Sequence, residues 1–414
     1  MSDSQHFVYR RAFLKFLASS PLLASFGLTA FGEESETPAR TSSFLLDGPD
    51  IGQIGDIISA PDQAINVFDF KAAAKAALPP AHYGYLATGV DGDGTLLANR
   101  EGFKELYIRP RHLVDVTNID MSTALFGVKW DTPIVLAPTG SHRAFHPEGE
   151  LAVARAANTR GHLQILSTVS TTSVEDVTEA RGAPIWYQLY PTARWEVTKV
   201  FLRRAQAAGC PVVVLTVDLP VLSNRETFKR YARMDERDCA SCHTGGFEHY
   251  PMFDGITLAP EEWAAPHLTW DFIKRLKDET DMKVIVKGIV THEDASLCLE
   301  HGVEGIVVSN HGGRAEGSDR ATISSLPEVL KAVDGKIPVL VDSGFRRGTD
   351  IFKALALGAS GVCIGRPYLW GLSSFGQPGV EQVLDILRRE LEITMKLCGT
   401  PTIGDISRAH IRGA

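Results

Sequence analysis

The sequence predicts an α/β protein: a TIM (β/α)8 barrel with an N-terminal helical extension and a long loop after the fourth strand. Three observations carry that prediction. From Pro133 onward a short apolar run recurs eight times. Amphipathic, helix-like stretches separate most of the runs, and regular β-then-α alternation implies parallel strands. Polar residues gather where the runs end, the place where barrels build their active sites. No Gly-x-Gly-x-x-Gly fingerprint follows the first run, so a dinucleotide-binding sheet is the weaker reading.

Bulk properties agree. A chain of 414 residues, 44% hydrophobic and 22% charged, has room for a barrel of ~250 residues plus extensions. A net charge of −8 argues against a nucleic-acid binder, which needs a basic face, but a local arginine pair can still hold an anionic substrate. Six cysteines are too few for a disulfide-built scaffold in a chain of this size.

Residues 1–32 read as a twin-arginine export signal: Arg10-Arg11-Ala12-Phe13-Leu14-Lys15 precedes an uncharged stretch, with Ala30-Phe31-Gly32 as a small-x-small cleavage site. Pro21, Gly27 and several serines make that stretch a poor permanent anchor. The expected location is therefore periplasmic. Residues 33–60, rich in Glu, Thr, Ser, Gly and Pro, read as a linker, leaving 61–414 as the main domain. The spacing of Val67, Phe68, Phe70, Ala73 and Ala77 predicts a helix from Asn66 to Leu78, stopped by Pro79-Pro80.

The predicted barrel starts near residue 133, with strands at Ile134–Ala137, Leu163–Ser167, Ile185–Leu189, Val212–Val217, Val284–Lys287, Gly305–Ser309, Val339–Asp342 and Gly361–Gly365. Helix-like segments lie at 148–159, 195–208, 292–301 and 349–357. The strand ends carry Thr139, Ser167, Gln188 with Tyr190, Thr216 with Asp218, Lys287, Ser309-Asn310-His311, Asp342 with Arg346-Arg347, and Gly365-Arg366. One such group can be a helix cap. Amides, hydroxyls, a lysine, a histidine and arginines at eight ends together predict a single site. His112, His142 and His146 show no metal-ligand spacing.

With these residues in view, the chain resembles the FMN-dependent 2-hydroxy acid oxidases and dehydrogenases, from about Asn66 to Ile411. The most specific element is Ser309-Asn310-His311-Gly312-Gly313-Arg314; Leu136-Ala137-Pro138-Thr139, Tyr187-Gln188-Leu189-Tyr190, Leu215-Thr216-Val217-Asp218, Val286-Lys287-Gly288 and Ile364-Gly365-Arg366-Pro367 follow the same order. The resemblance implies that His311 takes a proton from the substrate, a task suited to a group with an ordinary pKa of ~6.5. It implies that Asp218 stabilises the resulting imidazolium, and that Tyr190 hydrogen-bonds the substrate oxygen. Tyr85 and Arg314 would hold the carboxylate, with Arg225 as a second cation. Lys287 would lie against the flavin pyrimidine. Gln188, Thr216 and Ser167 would bond the ring edge with backbone groups of Pro138, Thr139 and Gly140, and Ser309 would join them. Asp342 would bind the ribityl chain, and Gly344, Arg346, Gly365 and Arg366 would surround the phosphate.

Several departures stand out. Gly140 replaces a common alanine and so leaves room beside the flavin, while Val169 replaces a large aromatic. Ala315-Glu316-Gly317 replaces Gln-Leu-Asp, and Tyr85-Leu86-Ala87-Thr88-Gly89 lacks a common second tyrosine. The loop at about 226–270 contains Cys239-Ala240-Ser241-Cys242-His243, the c-type haem attachment pattern. His249 or Met252 is then a candidate axial ligand. A metal site with His243 and His249, a Cys239–Cys242 disulfide and unmodified thiols remain open beside haem c. Cys210, Cys298, Cys363 and Cys398 read as buried apolar residues.

The expected activity is FMN-dependent oxidation of a small L-2-hydroxy acid, of lactate or glycolate type, to the 2-keto acid. Cytochrome c, a quinone or oxygen is the candidate acceptor, with a periplasmic or membrane acceptor preferred and an oxygen-using oxidase or monooxygenase second. A non-catalytic flavin-binding redox sensor is the reading from another class. The resemblance also implies a homotetramer.

Overall fold

The computed structural model describes residues 57–237 and 250–413. Eight parallel strands close into a barrel: β1 (Ile134–Leu136), β2 (Leu163–Ser167), β3 (Trp186–Leu189), β4 (Val212–Thr216), β5 (Lys283–Ile289), β6 (Gly305–Val308), β7 (Val339–Val341) and β8 (Gly361–Ile364). β8 pairs back onto β1, with Val362 opposite Ile134. Each strand lies on one of the eight apolar runs, Leu163–Ser167 with unchanged bounds and the others shifted at one or both ends by a residue or two.

These runs do not alternate because both faces of each strand are covered. β4, Val-Val-Val-Leu-Thr, is buried along its whole length. One set of side chains, including Val135, Leu163, Ile165, Trp186, Val212, Val214, Ile285, Val307 and Leu340, fills the barrel interior. The other set, including Leu136, Tyr187, Val213 and Val286, packs under the helices. A hairpin of Thr123–Leu125 and Val128–Trp130 adds Leu125 and Phe126 to the interior cluster. The Phe126 ring lies 5.5 Å from that of Trp186 and closes the amino-terminal end. The carboxyl end is left for chemistry.

Outside the barrel, Gly149–Thr159, Trp195–Ala207, His292–Glu300 and Gly348–Leu357 are helices, as their periodicity predicts. Val67–Ala77 is helical too, opened by a capping box in which Asn66 Oδ1 accepts from Phe68 N at 2.8 Å and Asp69 accepts from Asn66 N at 3.0 Å. Pro79-Pro80 ends this helix, but it also starts a second one, Pro80–Ala87, because proline suits a first helical position. That second helix carries Tyr85. The stretch expected to be a loop at 226–270 begins instead with a helix, Glu226–Arg233. Its Tyr231 ring packs 6.0 Å from Tyr83, against Gly84. The export signal, most of the linker and Cys239-Ala240-Ser241-Cys242-His243 lie outside the described residues.

The last helix, Arg366–Cys398, bends sharply at Phe375 and Gly376. Its two halves cross backbone to backbone: a Cβ on Gly379 would stand 2.1 Å from the carbonyl oxygen of Gly371. This crossing sets the direction of the first half, whose amino end reaches the carboxyl rim of the barrel. Gly379→Ala is therefore expected to lower stability by about 1–3 kcal/mol, read as a lower urea midpoint. An unchanged midpoint would show that the halves separate without cost.

Candidate active site

A cleft at the carboxyl ends of the strands holds ≈ 760 Å³ of atom-free space, open solvent at its mouth included. Its walls include Tyr85, Pro138, Thr139, Gly140, Ser167, Tyr190, Lys287, His311, Arg314, Asp342, Gly344, Arg346, Gly365 and Arg366. All were singled out from the sequence. Gln188, Thr216, Asp218 and Ser309 stand directly behind that wall, at strand ends whose register sets Ser167 beside Gln188 and Thr216 beside Lys287. Arg225 lies behind Tyr85.

His311 follows β6 in a left-handed conformation, φ 58°, which a non-glycine residue holds only where its surroundings enforce it. The enforcement is visible. The His311 backbone N–H donates to Ser309 Oγ at 3.0 Å, and Asn310 exchanges two amide hydrogen bonds with Asn99, at 2.9 and 3.0 Å. Asp218 Oδ1 lies 2.9 Å from His311 Nδ1, which makes Nδ1 the protonated nitrogen. The other nitrogen, Nε2, is then an acceptor, 3.1 Å from the Tyr190 hydroxyl. Burial pushes the His311 pKa below its usual value; Asp218 opposes the shift and Lys287 reinforces it. The ring is accordingly neutral and basic at Nε2 before reaction. Burial raises Tyr190 well above the ordinary phenol range, with Asp218 adding to the effect, so it remains a donor.

Lys287 ties the rim together. Its ammonium donates to Ser309 Oγ at 2.9 Å and lies 3.5 Å from Asp342 and 3.9 Å from Asp218. Burial alone would discharge it, but the two carboxylates override burial and raise its pKa. Burial likewise opposes ionisation of Asp218, and Lys287 and His311 more than reverse it. Gly288, at φ 114° in the irregular stretch where β5 meets β6, makes this approach geometrically available: a Cβ there would sit 2.7 Å from that of Asp218.

Across the cleft, Arg314 and Arg225 both contact Tyr85. Their guanidinium carbons lie 4.7 and 5.2 Å from its ring centroid, and both donate to its carbonyl, at 2.5 and 2.9 Å. Burial, then the charge of Arg314, lowers Arg225 to about 9. Two buried guanidinium groups this close favour an anion between them. Arg366 is held by the carbonyls of Leu86, Thr88 and Gly312, at 2.5, 3.0 and 2.8 Å, so it braces the Tyr85 helix end against the His311 loop as well as lining the cleft.

The rim also fits a flavin mononucleotide. Gln188 Nε2 and Thr216 Oγ1 are buried without hydrogen-bond partners, and Ser167 Oγ donates to Gln188 Oε1 at 3.0 Å. A ring edge offering carbonyl and imide groups satisfies such atoms. At the other end Arg346 Nε is buried and unpartnered, next to Gly344 and Gly365. Gly344 is glycine for a local reason, since its φ is 88° and a Cβ would stand 2.2 Å from the Asn99 carbonyl oxygen.

Two expectations change. The methyl absent at Gly140 does not leave open space: a Cβ there would lie 2.6 Å from Val169 Cγ2, so the two departures from the family pattern fill one another's volume. Met252, offered as an axial ligand, is fully buried in the hydrophobic core. Arg347 turns from the cleft to pair with Glu390 at 2.8 Å. Cys210, Cys298, Cys363 and Cys398 are buried thiols. Among the described residues no three His, Cys, Asp or Glu side chains group as a metal site. Sequence reasoning missed Tyr368 and His142. The Tyr368 hydroxyl donates to the Ala137 carbonyl at 2.9 Å, and His142 Nε2 lies 2.6 Å from Thr139 Oγ1. Only the position of Tyr368 directly after Arg366-Pro367 hinted at it.

With this geometry in place, comparison with known proteins is direct. Residues 74–413 match the family model of FMN-dependent dehydrogenases. A peroxisomal (S)-2-hydroxyacid oxidase of Arabidopsis thaliana is 42% identical over 363 residues, covering 85% of this chain and 97% of that one. Glycolate oxidase of Spinacia oleracea is 42% identical over 359 residues, covering 84% and 95%. The crystal structure of a soluble mutant of the membrane-associated (S)-mandelate dehydrogenase from Pseudomonas putida superposes with a TM-score of 0.78 at 32% identity, covering 85% of this chain and 100% of that one. The chain therefore belongs to the FMN-dependent dehydrogenase family, and its relatives include oxidases of 2-hydroxy acids.

Proposed function

We propose that this protein oxidises a small L-2-hydroxy acid, of lactate or glycolate type, to the 2-keto acid, with His311 as the base, Asp218 behind it and Tyr190 on the substrate oxygen. The observation that carries the reading is the Asp218–His311–Tyr190 chain of hydrogen bonds, which leaves His311 Nε2 as a buried acceptor inside the cleft. When bound, FMN supplies the two-electron oxidation. Arg314 and Arg225 hold the substrate carboxylate beside Tyr85, and Tyr190 fixes the hydroxyl. Proton removal onto Nε2 creates an imidazolium whose charge Asp218 compensates at Nδ1. Lys287 places a fixed positive charge at the rim, where Gln188, Thr216, Ser167 and Ser309 are assigned to the ring. Pro138, Thr139 and Gly140 flank it. Asp342 is assigned to the ribityl chain, and Gly344, Arg346, Gly365 and Arg366 to the phosphate.

Two acceptors have support. The oxidase names of the relatives from Arabidopsis and spinach favour oxygen. The Arg10-Arg11 leader favours export and a periplasmic or membrane acceptor such as cytochrome c or a quinone. Reoxidation of the reduced protein by air within seconds would select oxygen. Assembly as a homotetramer and modification of Cys239 and Cys242 belong to the same proposal. Denaturation-resistant Soret absorbance would establish haem c on the loop.

Anaerobic addition of L-lactate or glycolate is expected to bleach the flavin absorbance; a panel of L-2-hydroxy acids without any bleaching would remove the enzyme reading. Because burial holds His311 below its usual pKa, activity is expected to be lost only as pH falls below ~6.5, when the ring becomes protonated. Asp218→Asn removes the charge that favours the imidazolium, so kcat should fall at least about 10²-fold and the acidic limb should move to still lower pH. An unmoved limb would place the titrating group elsewhere. Gly140→Ala should displace Val169 and cost about 1–3 kcal/mol in denaturant unfolding, with much of the loss recovered in Gly140→Ala/Val169→Ala. Additive effects of the two substitutions would show that the residues do not share one space.

A further inference from the structure

The helix Gly94–Glu101 touches two loops of the site with neighbouring residues. Asn99 holds the His311 loop through Asn310, and its side-chain oxygen also accepts from Thr322 N at 3.1 Å. Arg100 reaches the other loop, which carries Gly344, Phe345 and Arg346 into the cleft wall. Its Nη1 donates to the Gly344 carbonyl and, at 2.7 Å, to Asp350 Oδ2. The same Asp350 oxygen accepts the backbone N–H of Arg346 at 2.9 Å and that of Arg347 at 3.1 Å. The Arg100 guanidinium lies 5.5 Å from the Phe103 ring, and that ring meets the Phe345 ring edge-on at 4.9 Å. The Arg100 and Asp350 side chains are only 14% and 6% exposed, so the pair is shielded from water.

We propose that Arg100 is a positioning residue for the FMN phosphate: by holding Gly344 and Asp350 it sets the backbone from which the Arg346 guanidinium reaches the cleft. The proposal rests on the FMN reading above. Arg100 stands behind the cleft wall and acts through the loop, not on the phosphate itself. The connection is short, running from guanidinium to carboxylate to the Arg346 N–H, and each link is a charge-assisted hydrogen bond. Arg346 depends on that support, because its Nη1 bonds within its own loop, to the Phe345 carbonyl at 2.8 Å, and its buried Nε has no partner. The loop also follows a costly path. Ser343 and Gly344 are both left-handed, at φ 76° and 88°, and a non-glycine residue keeps that conformation only where its surroundings enforce it. The bond from Arg100 to the Gly344 carbonyl is part of the enforcement. Charge works in the same direction. A lone carboxylate bonded to the Arg346 N–H would repel a phosphate dianion, and Arg100 offsets it.

Riboflavin, which has the same ring and ribityl chain without the phosphate, isolates the contribution. The full chain is stripped of flavin, reloaded with FMN or riboflavin, and its dissociation constants are read from flavin fluorescence. Arg100→Met is expected to weaken FMN about tenfold and riboflavin by less than about twofold. Arg100→Gln keeps an amide donor without the charge and is expected to weaken FMN alone, by about fivefold; it decides the matter should the Met chain, with Asp350 left unpaired, fail to fold. Asn99→Ala, on the same helix but tied to the His311 loop, should keep the wild-type ratio of the two constants. Equal weakening of both flavins in the Arg100 variants, or no weakening of FMN, would overturn the proposal while leaving the FMN reading in place. So would an Asn99→Ala chain that loses discrimination as Arg100→Met does, since the effect would then belong to the helix as a whole. A wild-type chain that binds riboflavin as tightly as FMN would overturn the FMN reading, and the proposal with it.

Discussion

The site depends on one buried cation. Lys287 sits at the centre of the rim with a carboxylate on each side, Asp218 after β4 and Asp342 after β7, and Ser309 after β6 beneath it. Removing an ammonium from water is costly, and only that arrangement of acids keeps it charged. The dependence runs both ways. Asp218 ionises because of Lys287, and the ionised Asp218 selects the tautomer of His311 that leaves Nε2 as the base. Four strand ends are thus held by a single charge balance, and the chemistry at His311 inherits its orientation from it.

The remaining cations are arranged differently. Arg225, Arg314, Arg346 and Arg366 are mutually repulsive and are braced by backbone carbonyls and aromatic rings, not by carboxylates. Carbonyls orient a guanidinium without neutralising it. The cleft therefore keeps a positive potential at both ends, one proposed for the substrate carboxylate and the other for the FMN phosphate, with the balanced Lys287 between them.

Much of this was legible in the residues. Fully buried strands of a closed barrel are short, continuous apolar runs, and nothing else in a chain of this composition repeats eight times with helices between. Strand-end polar residues were legible for the same reason, since barrel topology brings all eight ends to one face. What was not legible depends on chain crossings. The proximity of Gly140 and Val169 requires knowing how the loops after β1 and β2 approach each other. Tyr368 and His142 carry no mark of a role in the sequence until Thr139 is seen between them. Pro79-Pro80 was read correctly as a stop, but the same two residues start the helix that carries Tyr85, and proline supplies both signals. Glu226–Arg233 does place Phe228 and Tyr231 on one face, toward Tyr85 and Tyr83, but two turns are too short for periodicity to separate a helix from a loop.

The hydrogen bonds of Arg366 also govern the order in which the molecule can be made. They join the end of the final barrel strand to Leu86, 280 positions earlier, and to Gly312. Until β8 and the start of the last helix have left the ribosome, the Tyr85 segment can rest on Arg225, Tyr231 and Arg314 but lacks the Arg366 clamp on Leu86 and Thr88. The proposed phosphate end is for that reason completed late, and a nascent chain interrupted between residues 311 and 366 would carry the histidine proposed as base while lacking Gly365 and Arg366.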